Sequence, residues 1–207
     1  MDRSRTDLLA ELLAGTPLVE DARRLGAALR RPSPAAGGLL LVGTPEHEPW
    51  HLTAHLDEEA RYAALPDLSP TLVRWRVPAG APAHLAVDLS RLEAVRRGER
   101  LLVVAPDEAP VPLLERADDA RRRGALLVCL DRGDDELGAL AAERMVVPAA
   151  SSPLLAAGLT ADVPPVFDVA QHLLSAAAGD APTVRRGWRT RLEALLEKVS
   201  GPAPPRH

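Results

Sequence analysis

Aromatic side chains, cysteine and lysine are all scarce in this sequence of 207 residues. Only Trp50, Tyr62, Trp75, Phe167 and Trp188 carry aromatic rings, which removes the stacking platforms on which single-stranded nucleic acids are held. Lys198 is the only lysine among 25 basic residues, and the net charge is −4 with a pI near 5.9. A nucleic-acid binder carries a basic excess instead. Cys129 is the only cysteine, so no disulfide can form within the chain. It lies in the strand-like run Ala125-Leu126-Leu127-Val128-Cys129-Leu130, where a free thiol behaves as a small buried hydrophobe, and no activating base accompanies it in sequence. No apolar run nears the roughly 18 residues of a membrane span. Met1-Asp2-Arg3-Ser4-Arg5 leads straight into an amphipathic pattern without an apolar signal segment. The expectation is a cytoplasmic bacterial protein with neither a nucleic-acid nor a membrane partner.

What is present is aliphatic. With 46% hydrophobic residues at this length, Leu, Val and Ala can fill one complete core. Leu8, Leu9, Leu12 and Leu13, and then Val19, Ala22, Leu25, Ala28 and Leu29, recur at helical spacing. Gly15-Thr16-Pro17 interrupts the two stretches, and the Pro- and Gly-rich segment 31–38 ends the second. Strand and helix patterns then alternate. Leu39–Gly43, Thr71–Val77, Leu101–Ala105, Leu126–Leu130 and Arg144–Pro148 read as strands. Trp50–Leu65, His84–Arg96 (weakly), Pro112–Arg123, Glu136–Glu143, Val166–Ala178 and Thr183–Val199 read as helices. This alternation predicts a three-layer α/β/α sandwich on a five-stranded, mainly parallel sheet. Three of the strands are wholly apolar, as strands covered on both faces must be. The division expected is an N-terminal helical arm over 1–36, the α/β domain over 37–180, a C-terminal helix over 181–200 and a disordered tail over 201–207. Ligands of open α/β sheets bind beyond the carboxyl ends of the strands, which points to the loops Gly43–Glu48, Pro78–Pro82, Pro106–Pro112 and Ala149–Pro153.

Two stretches carry a family resemblance. Arg97-Gly98-Glu99-Arg100-Leu101-Leu102-Val103-Val104-Ala105, followed by the helix ending Ala120-Arg121-Arg122-Arg123-Gly124-Ala125, resembles the sugar isomerase (SIS) domain pattern of a strand, a Ser-rich loop and a helix closed by glycine. Asp131-Arg132-Gly133-Asp134-Asp135-Glu136-Leu137 through Arg144-Met145-Val146-Val147-Pro148 resembles the next unit of that family. The likeness is greatest to stand-alone phosphoheptose isomerases and covers roughly residues 15 to 180. It implies the sandwich fold, a homodimer or homotetramer paired through helices beside the pocket, and a small carbohydrate-derived ligand.

The loop that would hold a sugar phosphate departs from the family. Its three serine positions fall on Ala105, Asp107 and Pro110, so no hydroxyl remains, and Pro106, Pro110 and Pro112 remove three amide donors. Asp107 and Glu108 bring negative charge where phosphate would sit, or complement the start of the next helix.

The richest polar segment is Gly43-Thr44-Pro45-Glu46-His47-Glu48-Pro49-Trp50-His51 and its continuation to Glu59. His47-Glu48-Pro49-Trp50-His51 has the letters of the zincin motif, but that motif needs one continuous helix and Pro49 interrupts it. His51, His55 and Glu59, at i, i+4 and i+8, lie along one helix face and could hold a divalent metal such as zinc or act as a base with its orienting partner; a solvated polar face is the plainer alternative. The resemblance implies metal binding by His55, and metal binding with acid–base catalysis by Glu59. It also places Gln and His on a late helix, here Gln171 and His172, so His172 could complete a catalytic site with Glu59 or be a hydrogen-bonded core residue. Gly43 and Thr44 with His51, Asp107 with Glu108, and Ser151 with Ser152 complete the candidate ligand-binding set, although the two serines suit helix capping as well.

The sequence thus predicts an SIS-like protein that binds a small polar ligand or a protein partner, without phosphosugar isomerase activity. An active, metal-assisted isomerase using His55, Glu59 and His172 is the rival, and a pure interaction module the third possibility. No cofactor beyond the candidate metal is called for.

Overall fold

Strands with no polar side chain in their middle can be stable only when neither face meets water, and this requirement organises the molecule. The computed structural model describes residues 16–33, 38–147 and 166–180. In chain order its elements are helix α1 (Pro17–Leu29), strand β1 (Leu39–Gly43), α2 (Trp50–Tyr62), β2 (Pro70–Val73), α3 (Ser90–Glu93), β3 (Arg100–Ala105), α4 (Val111–Arg122), β4 (Leu126–Asp131), α5 (Asp135–Leu140), β5 (Glu143–Val146) and α6 (Val166–Gly179). The five strands form one sheet in the order β2-β1-β3-β4-β5, every neighbouring pair parallel.

Alternate residues face opposite layers. Leu39, Leu41, Leu102, Val104, Val128 and Leu130 pack with α1, α2 and α6. Leu40, Val42, Leu101, Val103, Leu127 and Cys129 pack with α3, α4 and α5. The helix after β1 therefore covers one face and the helix after β3 the other, so the chain diverges between these two central strands. Parallel α/β sheets bind ligands at the carboxyl ends of strands where the chain diverges in this way.

Residues 17–29, the later part of the expected arm, form a layer of this sandwich. Leu18, Val19, Ala22, Leu25, Ala28 and Leu29 are buried. A side chain at Gly26 would meet the backbone of Ala177 and Ala178 at 2.8 Å, so glycine lets α1 and α6 pack backbone to backbone. Arg100, 1% exposed, donates to the carbonyls of Leu29 and Asp67 and joins α1 to the short turn before β2.

Several element bounds differ from the sequence reading. Helix α2 stops at Tyr62 rather than Leu65, because the Leu65 amide bonds to the Ala60 carbonyl and Ala64 takes a left-handed conformation, φ 54°. Strand β2 spans Pro70–Val73 rather than Thr71–Val77, since the Arg74 amide turns away to Val87. The expected helix His84–Arg96 is a 3-10 turn at Ala83–Leu85 followed by the four-residue α3. Asp88 accepts from the amide and hydroxyl of Ser90, starting a new turn there. The helix expected over Glu136–Glu143 is α5, Asp135–Leu140, and the last strand is Glu143–Val146 rather than Arg144–Pro148. The first amphipathic stretch at Leu8–Leu13, the helix Thr183–Val199, the tail 201–207 and the loop Ala149–Pro153 lie outside the described residues. Among the described residues no helix is long and apolar enough to cross a membrane.

Candidate functional site

At the carboxyl end of β1, Gly43 lets the chain fold back on itself: a side chain there would collide with the His47 carbonyl and the Pro49 ring. The His47 amide closes the turn on the Thr44 carbonyl, 3.2 Å, and Trp75 Nε1 donates to the Gly43 carbonyl, 2.7 Å. The Arg74–Glu48 ion pair at 3.0 Å ties the loop to the chain leaving β2. Within this fixed frame three buried polar atoms have no partner among the described residues, Arg74 Nε being one. Thr44 is 1% exposed and its hydroxyl has no partner among the described residues; His47 Nε2 is likewise buried and unpartnered. The His47 ring meets Phe167 edge-on with centroids 5.7 Å apart. Burial lowers the His47 pKa, against the opposing pull of Asp168 and Asp107.

The carboxyl ends of β3 and β4 are built differently. A groove of about 750 Å³ is lined there by Asp107, Glu108, Asp134, Asp135 and Glu136, with Arg132 the one cation in its wall among the described residues. Asp134 Oδ2 already accepts the Ala109 amide, 2.8 Å, while its Oδ1 caps α5 through the Leu137 amide, 2.9 Å. Leu113 and Leu114 donate to the Pro110 carbonyl, and Pro112 has no amide hydrogen. Of the amides that would greet an anion at the start of α4, that of Leu113 is spent and that of Pro112 is missing, which leaves Val111 alone to offer one.

Behind this groove, the carboxylate of Asp131 is wholly buried at the end of β4. It accepts from Arg144 Nε (2.9 Å) and Nη2 (2.7 Å), from the Gly133 and Asp134 amides, and from the Cys129 thiol. Burial opposes its ionisation, but these donors outweigh burial and hold its pKa below the usual carboxylate value. Gly138 leaves the space that the Arg144 guanidinium occupies. Burial, and then Asp131, push the Cys129 thiol far up, so Cys129 is a core residue and no nucleophile.

The third feature lies between α2 and α6. Leu52, Leu56 and Ala60 seat α2 on the sheet, and the residues one position earlier are turned by about 100° along the helix, toward α6. His55 Nε2 lies 3.0 Å from His51 Nε2. The His172 ring stands edge-on to both, with centroids 4.6 Å from His55 and 5.1 Å from His51. One ring nitrogen from each of the three lies within 4.8 Å of the others. Burial, then His55 and His51, push the His172 pKa down to about 4. Burial, then His51, lower that of His55, while Glu58 at 3.7 Å from its Nδ1 acts in the opposite sense.

The structure therefore brings His55 and His172 together and adds His51, which the sequence placed on the same helix face. Glu59 stands apart from the three: its carboxylate lies against Gly179 at the far end of α6. Gly43 and Thr44 are buried at the carboxyl end of β1, and Asp107 and Glu108 line the acidic groove. Ser151 and Ser152 lie outside the described residues. His47 precedes α2 and turns to Phe167, so it shares no helix face with His51 and the zincin letters have no structural counterpart. Sequence reasoning gave His47 no role beyond those letters, and it missed the Asp131–Arg144–Asp134 network. The only signal for the network was an Asp ending an otherwise apolar strand.

No protein-family model matches the chain, and no curated protein matches its sequence. Solved structures do resemble it. A candidate phosphosugar isomerase from Silicibacter pomeroyi superposes with a TM-score of 0.48 at 17% identity, over 92% of this chain and 54% of that one. A candidate sugar-binding protein from Salmonella typhimurium gives 0.48 at 16%, over 91% and 52%. The NanR protein of Vibrio vulnificus, complexed with ManNAc-6P, gives 0.47 at 11%, over 87% and 60%. The chain spans little more than half the length of each of these relatives.

Proposed function

We propose that this chain is an SIS-like binding protein for a small, uncharged polar ligand of the polyol or sugar class, held at the carboxyl edge of β1, and that it does not isomerise phosphosugars. The observation that carries the reading is the Thr44 hydroxyl, 1% exposed and without a partner among the described residues, where the chain diverges between the two central strands. A buried hydroxyl left unmatched costs about 1–3 kcal/mol, and a ligand hydroxyl arriving there would recover it. His47 Nε2, also unmatched, offers a second polar contact. The adjoining groove selects on charge, since among the described residues five carboxylates line it against one guanidinium, and a phosphate dianion would be repelled. Self-association into a homodimer or homotetramer is part of the same proposal.

Thermal unfolding tests it directly, because a ligand that binds only the native state raises the melting temperature. Neutral monosaccharides and polyols at millimolar concentration should include at least one that stabilises the protein, with the effect lost in Thr44→Val. Sedoheptulose, glucosamine and fructose phosphates should produce no shift. A rise of several degrees with any of these phosphates would overturn the reading.

A further inference from the structure

We propose that the neutral ring of His47 accepts a hydrogen bond from a ligand hydroxyl beside Thr44, so that the chain holds its polyol or sugar only while His47 is uncharged. The role rests on Thr44 being a ligand contact, and it makes His47 the residue that governs that contact. Thr44 and His47 are the first and last residues of one turn, closed by the His47 amide on the Thr44 carbonyl at 3.2 Å, which keeps their Cα atoms within about 7 Å of each other. Each brings one buried atom without a partner among the described residues, the Thr44 hydroxyl and His47 Nε2. The turn is fixed on all sides. Gly43 admits the His47 carbonyl where a side chain would collide with it, Trp75 Nε1 holds the Gly43 carbonyl, and Glu48 is paired with Arg74. A sugar or polyol carries hydroxyls on adjacent carbons, and one such pair can meet both atoms at once.

The surroundings of the ring favour its uncharged form. Its edge meets Phe167, and the Arg132 guanidinium lies over that same Phe167 ring, 5.7 Å from its centroid, so the aromatic already serves one cation. Two carboxylates act on His47, Asp168 from α6 and Asp107 from the loop after β3. Both draw its pKa up, yet burial outweighs them and leaves it below the ordinary histidine value. Asp168 also accepts from Gln171 Nε2 at 3.1 Å, so its charge is shared with another donor. In a neutral imidazole one nitrogen donates and the other accepts, whereas in the protonated ring both donate. Acid therefore removes the acceptor that a ligand hydroxyl would meet. A ligand lying on the ring also takes it further from water, which the charged form resists. Binding and protonation at His47 thus oppose each other.

The test uses the full chain with D-glucose, D-mannitol and myo-inositol at millimolar concentration, each melting temperature being read against ligand-free protein at the same pH. At about pH 7.5 at least one of the three should raise it, and the rise should shrink as pH falls to about 4.5. His47→Gln, whose amide oxygen accepts without titrating, should keep a rise that does not change with pH. His47→Leu should weaken binding at about pH 7.5 by about 10-fold; should that variant fail to fold, His47→Gln carries the test. Without any ligand, long-range proton–nitrogen NMR correlations should show His47 Nε2 bare at about pH 7.5, with the ring titrating below about 6.5. No rise with any of the three in the unsubstituted chain would overturn the Thr44 contact and the His47 role together. A rise that is constant over the pH range, one that shrinks equally in His47→Gln, or a proton on His47 Nε2 at about pH 7.5 would overturn the His47 role and leave the Thr44 contact standing.

Discussion

The two halves of the carboxyl edge are finished in opposite ways. At the ends of β3 and β4 the polar groups are matched: Asp131 has five donors, Asp134 holds the Ala109 amide and caps α5, and Arg144 binds both segments. At the end of β1 and along the α2–α6 seam they are not. The Thr44 hydroxyl and His47 Nε2 are buried without partners among the described residues, and three imidazoles crowd together with lowered pKa values on two of them. A folded chain tolerates unmatched polar groups at a cost in stability, and each of them can take up a water, an ion or a ligand. On the proposed function the matched half is structural and the unmatched half receives the ligand, whereas the sequence resemblance would have put a phosphate on the matched side.

Substitutions should separate the halves by their cost. The largest effect is expected from Arg144→Met, which leaves the Asp131 carboxylate buried and without its guanidinium. Urea denaturation at pH 7 should show a loss of about 3–5 kcal/mol, and a loss under 1 kcal/mol would show that the matched half is not held by this pair. Next comes pH on the unmatched half. The His172 ring, facing His51 and His55, titrates near 4 in the folded chain and near 6.5 when unfolded. The unfolded chain therefore binds the proton first as pH falls. The stability contributed is intact above about pH 6.5 and is lost as pH approaches 4, by on the order of 2–3 kcal/mol. Metal-free protein compared with His172→Gln across this range should show the component in the former alone; equal profiles would remove it.

Asp134→Ala should cost about 1–2 kcal/mol through loss of the α5 cap and of the Ala109 bond. Phosphate should still give no thermal shift, because Pro112 and the bonded Leu113 amide leave few donors at the start of α4 while Asp107, Glu108, Asp135 and Glu136 still line the groove. Smallest is Thr44→Val, expected to leave the unliganded stability unchanged or raised by up to about 1 kcal/mol, since it removes a buried hydroxyl that nothing satisfies. A loss above 1 kcal/mol would mean that the hydroxyl is already matched, and the contrast between the two halves would fail at its central residue.

Much of the fold was legible in the residue pattern. Apolar runs at Leu39–Gly43 and Leu101–Ala105 can survive only between two covering layers, and Pro49 marks the start of α2. The errors fall where a side chain competes with the backbone: Asp88 bonds Ser90 and divides a presumed helix, and Arg74 leaves β2 early for Val87. The missing hydroxyls after β3 and the shared face of His51 and His55 were likewise plain in the sequence, because each depends only on residue identity and helical period. Partner choice across the fold was not. That His172 rather than Glu59 joins His51 and His55 follows from the alignment of α6 beside α2, with Gly179 receiving the Glu59 carboxylate. That the Ala109 amide is satisfied by Asp134 follows from β3 and β4 ending at one level. A periodic sequence specifies which face a side chain occupies; which neighbour meets that face is decided only when the layers pack.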